Sequence, residues 1–278
     1  MIGVVSHDAG GAEVLSSWIL NNPGNYIYSL EGPAVEIFKR KLGNLVISNH
    51  ADMLSKCNSL LASTGWQTDF EKSALHLANL NGIKSSVFLD HWNFYKERFT
   101  FQGLMSLPDE IWVGDEKAKD LAKENFPNVT IVLKENYYFN DLLEIIKDPI
   151  PNRLGHLTAL YLCDPILDFA KNFNIDINFW GYDENEALIY FLKNFANLPY
   201  HFTDVLIRRH PSENDSKYSW AKKINPDISF SDEIDLYEDI RRSDFIFGCE
   251  TMAMALAHVA GKKVISCIPP KGRRMSLP

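Results

Sequence analysis

The sequence is poor in cysteine. Cys57, Cys163, Cys249 and Cys267 are its only four, and none forms a CxxC pair. That argues against a disulfide-stapled scaffold and a thiolate metal site, and predicts reduced thiols packed in or beside apolar runs of a cytosolic protein. HExxH, HxH and DxD are absent and the eight histidines are scattered, so neither a metal nor any other cofactor is expected. No apolar run approaches the ~20 residues of a membrane span, which leaves peripheral contact as the remaining membrane role. The chain opens on an apolar strand and not on a signal peptide, so a cytoplasmic location is expected. Basic residues are outnumbered, 28 against 36 acidic ones, for a formal net charge of −8. A nucleic-acid-binding protein wants a basic face, and that class is disfavoured. A dinucleotide GxGxxG loop, long repeats and low-complexity tracts are also missing.

What is present is an alternation of short apolar strands with helical stretches. Strands are expected at 2–6, 26–29, 45–48, 59–62, 86–89, 111–113 and 129–133, and helices at 12–21, 34–42, 51–56, 69–81, 116–125 and 137–147. The run Asp148-Pro149-Ile150-Pro151-Asn152 is the best linker in the chain, with two prolines between two apolar patterns. Beyond it the alternation restarts, with strands at 157–162, 204–207, 228–230, 245–247 and 264–268 and helices at 184–195, 216–223, 236–241 and 252–260. Strand–helix alternation predicts parallel sheets covered by helices. The expected fold is α/β, two facing Rossmann-like parallel-sheet domains over residues 1–148 and 153–278, and 278 residues are enough for two such cores. One echo links the halves. Asp109-Glu110-Ile111-Trp112-Val113-Gly114-Asp115-Glu116 and Asp244-Phe245-Ile246-Phe247-Gly248-Cys249-Glu250 each read as an acidic residue, an apolar strand, a glycine and a carboxylate before a helix.

Ligands of open α/β sheets bind beyond the carboxyl ends of the strands, and two polar clusters fall there in the second half. Strand 204–207 runs into Arg208-Arg209-His210-Pro211. Strand 245–247 runs into Gly248-Cys249-Glu250-Thr251, where Thr251 holds the N-cap position of the next helix and the N–H groups behind it can receive a phosphate. Glu250 stands where a carboxylate could take ribose hydroxyls. Of Arg208 and Arg209, which alternate along the strand, at most one faces the ligand.

In the first half the turn His7-Asp8-Ala9-Gly10-Gly11 lets a ligand approach the backbone closely. Asp8 is the candidate general base, with His7 in reserve. The strand-to-helix turn Thr64-Gly65-Trp66-Gln67-Thr68 and the loop Asp90-His91-Trp92 offer hydroxyl, charged and aromatic groups suited to a sugar. Thr68 and Glu71 have the spacing of a capping box, which reads as structural. The basic run Lys271-Gly272-Arg273-Arg274 is either a solvated tail or a contact to phosphate or a membrane surface.

Two α/β halves with a linker, the second ending in FGCETMAMALAHVAGKKVIS, resemble the GT-B class of glycosyltransferases. Within that class, Leu206-Ile207-Arg208-Arg209-His210-Pro211-Ser212-Glu213 looks like the HP motif of bacterial sialyltransferases and related enzymes using CMP-activated sugars. The resemblance implies a nucleotide-sugar donor, CMP- or UDP-linked, on Arg208, His210, Pro211, Gly248, Glu250 and Thr251. It implies a polysaccharide or glycolipid acceptor beside Gly10, Gly11, Thr64, Gly65, Asp90, His91 and Trp92, with metal-independent chemistry in bacterial surface-polysaccharide or lipopolysaccharide assembly. Two rivals keep the fold: a nucleotide-sugar epimerase or hydrolase, and a non-catalytic nucleotide-sugar-binding protein. The sugar, the acceptor, the stereochemical outcome and the oligomeric state are left open by the sequence.

Overall fold

The computed structural model describes residues 1–273 apart from 66–67, 93, 148–154, 173–175, 177, 211–212 and 233–235. The linker expected at 148–152 and the candidate site residue Pro211 therefore lie outside the described residues. The chain divides into two compact units, Met1–Asn140 and Asp141–Pro278. Each is built on its own parallel sheet.

The first unit runs β1 (Ile2–Ser6), α1 (Ala9–Asn21), β2 (Tyr26–Leu30), α2 (Pro33–Leu42), α3 (His50–Leu54), β3 (Ser59–Ser63), α4 (Phe70–Leu80) and β4 (Lys84–Leu89). It continues with β5 (Thr100–Phe101), β6 (Leu104–Met105), β7 (Glu110–Val113), α5 (Glu116–Asn125), β8 (Thr130–Leu133) and the start of α6 (Tyr137–Lys147). Six strands pair in the order β2-β1-β3-β4-β7-β8, and every pairing is parallel. Parallel strands buried on both faces read as continuous apolar runs, and alternate residues serve opposite layers. Val5, Leu60, Ala62, Val87, Leu89 and Ile111 pack one core layer. Val4, Leu61, Phe88 and Trp112 pack the other, against Leu15, Ile19 and Phe38.

Three local expectations are corrected. Residues 45–48 form a single bridge, Tyr28 to Ile47, and no strand; Val46 is exposed there, so the apolar alternation is not matched by a buried face. Helix α1 begins at Ala9, three residues early, and takes Gly10 and Gly11 into its first turn. Residues 100–105 add a two-stranded antiparallel hairpin that was not expected.

The second unit holds β9 (Thr158–Leu162), α7 (Ile166–Asn172), α8 (Glu184–Asn194), β10 (Asp204–Arg208), β11 (Ile228–Phe230), α9 (Leu236–Arg242), β12 (Phe245–Gly248), α10 (Met252–Val259) and β13 (Lys263–Ser266). Its strands pair in the order β11-β10-β9-β12-β13, all parallel. Its core joins Ala159, Tyr161, Leu188, Phe191, Ile207, Phe245 and Phe247. The helix expected at 216–223 is a short 3-10 segment, Ser219–Lys223. Two Rossmann-like parallel-sheet domains are thus present, as the alternation predicts. All four cysteines are free, three of them buried. Among the described residues no helix is long and apolar enough to cross a membrane.

Candidate functional site

In the first unit β1, β3 and β4 are neighbours, so the loops after them share one edge of the sheet. Those loops, together with the first turn of α1 that holds Gly10 and Gly11, carry all nine residues singled out in this half. His7 Nδ1 lies 2.8 Å from Asp8 Oδ1. Asp8 is the N-cap of α1, yet its side chain caps no helical N–H. Thr64 Oγ1 donates to Asp90 Oδ1 at 2.7 Å. The buried Arg98 donates to both, at 2.8 Å to Thr64 Oγ1 and 3.1 Å to Asp90 Oδ1. Burial and the Arg98 guanidinium push His91 down to about 4, so its ring is neutral at pH 7 and its Nδ1 accepts from the Trp92 N–H at 3.0 Å. Trp92 Nε1 in turn donates to Asp115 Oδ2 at 3.0 Å.

The glycines sit where side chains and backbone converge. A Cβ on Gly10 would stand 2.9 Å from Asp90 Oδ2, and one on Gly11 2.7 Å from Ser63 Cβ. On Gly65 it would stand 2.8 Å from Asp8 Oδ2 and 3.0 Å from Glu71 Oε2. The sequence reading gave no site role to Glu71 or Asp115 and carried Arg98 only within the loop that follows Trp92. Glu71 is the sharpest case, because the capping box with Thr68 is not formed. Asp69 is the N-cap of α4, and Glu71 Oε1 accepts from the His7 N–H at 2.8 Å. The N–H groups of the β1–α1 turn have to find an acceptor, and Glu71 is the one that reaches.

In the second unit β10 and β12 flank β9, which sets the loops carrying His210 and Thr251 two strand spacings apart, roughly 10 Å. Thr251 is the N-cap of α10, but no side chain caps that helix. Its Oγ1 is buried without a hydrogen-bond partner among the described residues. Arg273 Nη2 donates to Glu250 at 3.4 Å and its guanidinium lies over the Phe179 ring, so this member of the C-terminal basic run is docked and not a solvated tail. Lys271 pairs with Glu186 at 2.7 Å; Arg274 lies outside the described residues. A Cβ on Gly248 would meet Met254 Sδ at 2.9 Å and the Leu162 carbonyl at 3.0 Å, so this glycine lets α10 pack close against the sheet.

Both arginines of the RRHP stretch are engaged by carboxylates, including Arg208, the one singled out for the donor. Arg208 Nη1 donates to Asp239 Oδ2 on α9 at 2.5 Å, and Arg209 donates to Asp215 at 2.9 Å. The His210 backbone N–H donates to Glu213 Oε2 at 2.9 Å.

Carboxylates dominate the edge instead. Lys217 bridges Glu184 at 2.6 Å and Glu213 at 2.9 Å, and Tyr218 Oη donates to Glu213 at 2.5 Å. Burial, then the charges of Glu250, Glu213 and Glu184, raise Asp164 at the end of β9 to about 7. Asp164, Glu184 and Lys217 escaped the sequence reading, and Glu213 entered it only as the last letter of the HP motif, since the strand order brings them together. Among the described residues no group of three or more His, Cys, Asp or Glu side chains is disposed to hold a metal ion.

No family model matches the sequence, and no curated protein does. Solved structures do resemble the chain. One is the UDP-GlcNAc 2-epimerase from Neisseria meningitidis bound to UDP-GlcNAc, with a TM-score of 0.62 and 11% identity over 95% of this chain and 82% of that one. A glycosyltransferase from Rickettsia africae gives a TM-score of 0.55 and 12% identity over 95% of this chain and 79% of that one. MurG of Acinetobacter baumannii gives 0.51 and 8% over 96% and 86%. At these identities the likeness shows the fold, which is that of GT-B proteins. The neighbours are enzymes, glycosyltransferases and epimerases alike.

Proposed function

We propose that the chain is a glycosyltransferase: its second unit holds a nucleotide sugar, and its first unit handles the proton of a carbohydrate acceptor. The observation that carries this reading is the start of α10, where an uncapped helix N-terminus, a buried unpartnered Thr251 hydroxyl and the Arg273 guanidinium lie at the carboxyl edge of the sheet. Backbone N–H groups and the helix dipole favour an anion there. Glu250 takes the ribose hydroxyls and His210 a donor phosphate oxygen.

In the transfer the acceptor hydroxyl gives its proton to Asp8 as its oxygen bonds the anomeric carbon. The bond from that carbon to the phosphate oxygen breaks, and the nucleotide leaves with the electron pair, its charge met at the helix start. A CMP- or UDP-linked donor and a bacterial polysaccharide or glycolipid acceptor complete the reading. The test is calorimetric titration of CMP and of UDP into wild type and His210→Ala. One nucleotide saturating the wild type and binding more weakly to the variant supports the assignment; neither binding overturns it.

The likeness to UDP-GlcNAc 2-epimerases favours a second reading, isomerisation of the sugar while it stays on its nucleotide. Incubation with donor alone separates the two: an epimerase converts the donor to its isomer, whereas a transferase turns over slowly at best.

A further inference from the structure

Glu71 has no place in the donor–acceptor scheme, yet it is 3% exposed and in contact with the candidate base. Its Oε1 accepts from the backbone N–H of His7 at 2.8 Å and of Asp8 at 3.4 Å, and from Ser63 Oγ at 3.3 Å. Ser63 Oγ is itself 2.7 Å from Ser6 Oγ. Its Oε2 is buried and has no hydrogen-bond partner among the described residues. Oε2 and Asp8 Oδ2 close on the same point in front of Gly65, the position a Cβ would occupy.

Two ionised carboxylates so placed would repel with little water to screen them. The surroundings offer no relief. On its own helix Lys72 is paired with Asp69 at 2.8 Å. From the β4 side Arg98 is engaged with Asp90 and Thr64. From α3 His50 bonds the Phe70 carbonyl at 3.1 Å, and burial holds its ring below the usual range, hence neutral at pH 7. His7 is turned to Asp8 Oδ1. Among the described residues Glu71 makes no ion pair. Burial first, and the Asp8 charge second, raise it above the usual glutamate range. A buried oxygen without a hydrogen-bond partner among the described residues costs less in a neutral acid than in a carboxylate.

We propose that Glu71 is a positioning residue of the His7–Asp8 pair: in its neutral acid form it fixes the backbone of that turn and leaves Asp8 the only charged carboxyl of the two. This rests on the reading of Asp8 as base for its functional half only. Its first test needs no activity. In protein labelled with carboxyl-carbon-13 glutamate, the signal lost in Glu71→Gln identifies Glu71. It should titrate above the other glutamates and move down towards them in Asp8→Asn. Titration in the ordinary range, or a midpoint indifferent to Asp8→Asn, overturns the proposal.

The second test is the pH profile of donor turnover. Glu71→Gln mimics the neutral acid and should keep wild-type turnover within about threefold while extending it to higher pH. Glu71→Ala should lose at least ~10-fold through loss of the anchor. Glutamine and alanine variants equally impaired, with the same alkaline limit, would reduce Glu71 to a structural part. Failure of the carbon-13 arm counts against Glu71 alone, and absence of any turnover with that arm intact counts against the transferase reading alone.

Discussion

The segments 109–116 and 244–251 are the same device used to opposite ends. In both, an acidic residue just before the strand holds an N–H at the start of the neighbouring strand: Asp109 Oδ2 accepts from the Ser85 N–H at 2.7 Å, and Asp244 Oδ2 from the Thr158 N–H at 2.9 Å. A glycine then follows β7 and closes β12, and each admits close packing, Gly114 against Asn136 and Gly248 against Met254 and Leu162. They part at the helix start. Asp115 accepts from the Ala118 N–H at 2.7 Å and fills the N-terminus of α5 with its own carboxylate. Thr251 leaves the N-terminus of α10 without a cap. A helix start that carries its own anion has little use for another, whereas an open one invites it. The contrast belongs to these two helices, and under the proposed function the open start of α10 receives the donor phosphate.

The comparison breaks first at Asp8. Asp8→Asn removes the base and should lower turnover by about 10²–10⁴-fold while nucleotide affinity, measured by calorimetry, stays at the wild-type value. A parallel loss of affinity would mean the units do not divide the work. Next in size is Thr251→Asp, which gives α10 the cap that α5 already has. It should weaken nucleotide binding by at least ~10-fold and leave thermal stability unchanged or raised.

A third prediction concerns pH. A carboxyl whose folded pKa lies above its unfolded value of 3.8 stabilises the fold at low pH and gives that up as pH rises through the folded value, about 7 for Asp164. Wild type should therefore melt at lower temperature at pH 8 than at pH 5. Asp164→Asn should remove part of that fall, on the order of 1 kcal/mol. An unchanged slope in the variant would place the charge cluster elsewhere. The smallest effects belong to the shared part: Asp109→Ala and Asp244→Ala should each cost about 1 kcal/mol in chemical denaturation, by similar amounts if the echo is one device.

The alternation of apolar runs was enough to read both parallel sheets, because strands buried on two faces carry their signature locally. The hairpin at 100–105 was not legible. Its turn places Gln102 and Gly103 at φ 48° and 77°, and glutamine is not a residue that announces a left-handed turn. In the first unit the placement of Asp8, Gly65, Asp90 and His91 in turns that follow strands was readable from the sequence, whereas the entry of Gly10 and Gly11 into α1 was not. Glu71 was not, since its spacing from Thr68 fits a helix cap equally well and only the fold shows it reaching back to His7. The carboxylates that meet Arg208 and Arg209, Asp239 and Asp215, were not legible, because that pairing is set by packing that no local pattern records.

The most direct test of the open and closed helix starts is a titration of the nitrogen-15-labelled protein with UDP and with CMP, followed at the backbone amides. The expected result is saturable shifts at Met252 and Ala253, together with the Arg273 guanidinium, and none at Lys117 or Ala118. Shifts at the α5 start, or no shift at the start of α10 with either nucleotide, would contradict the account.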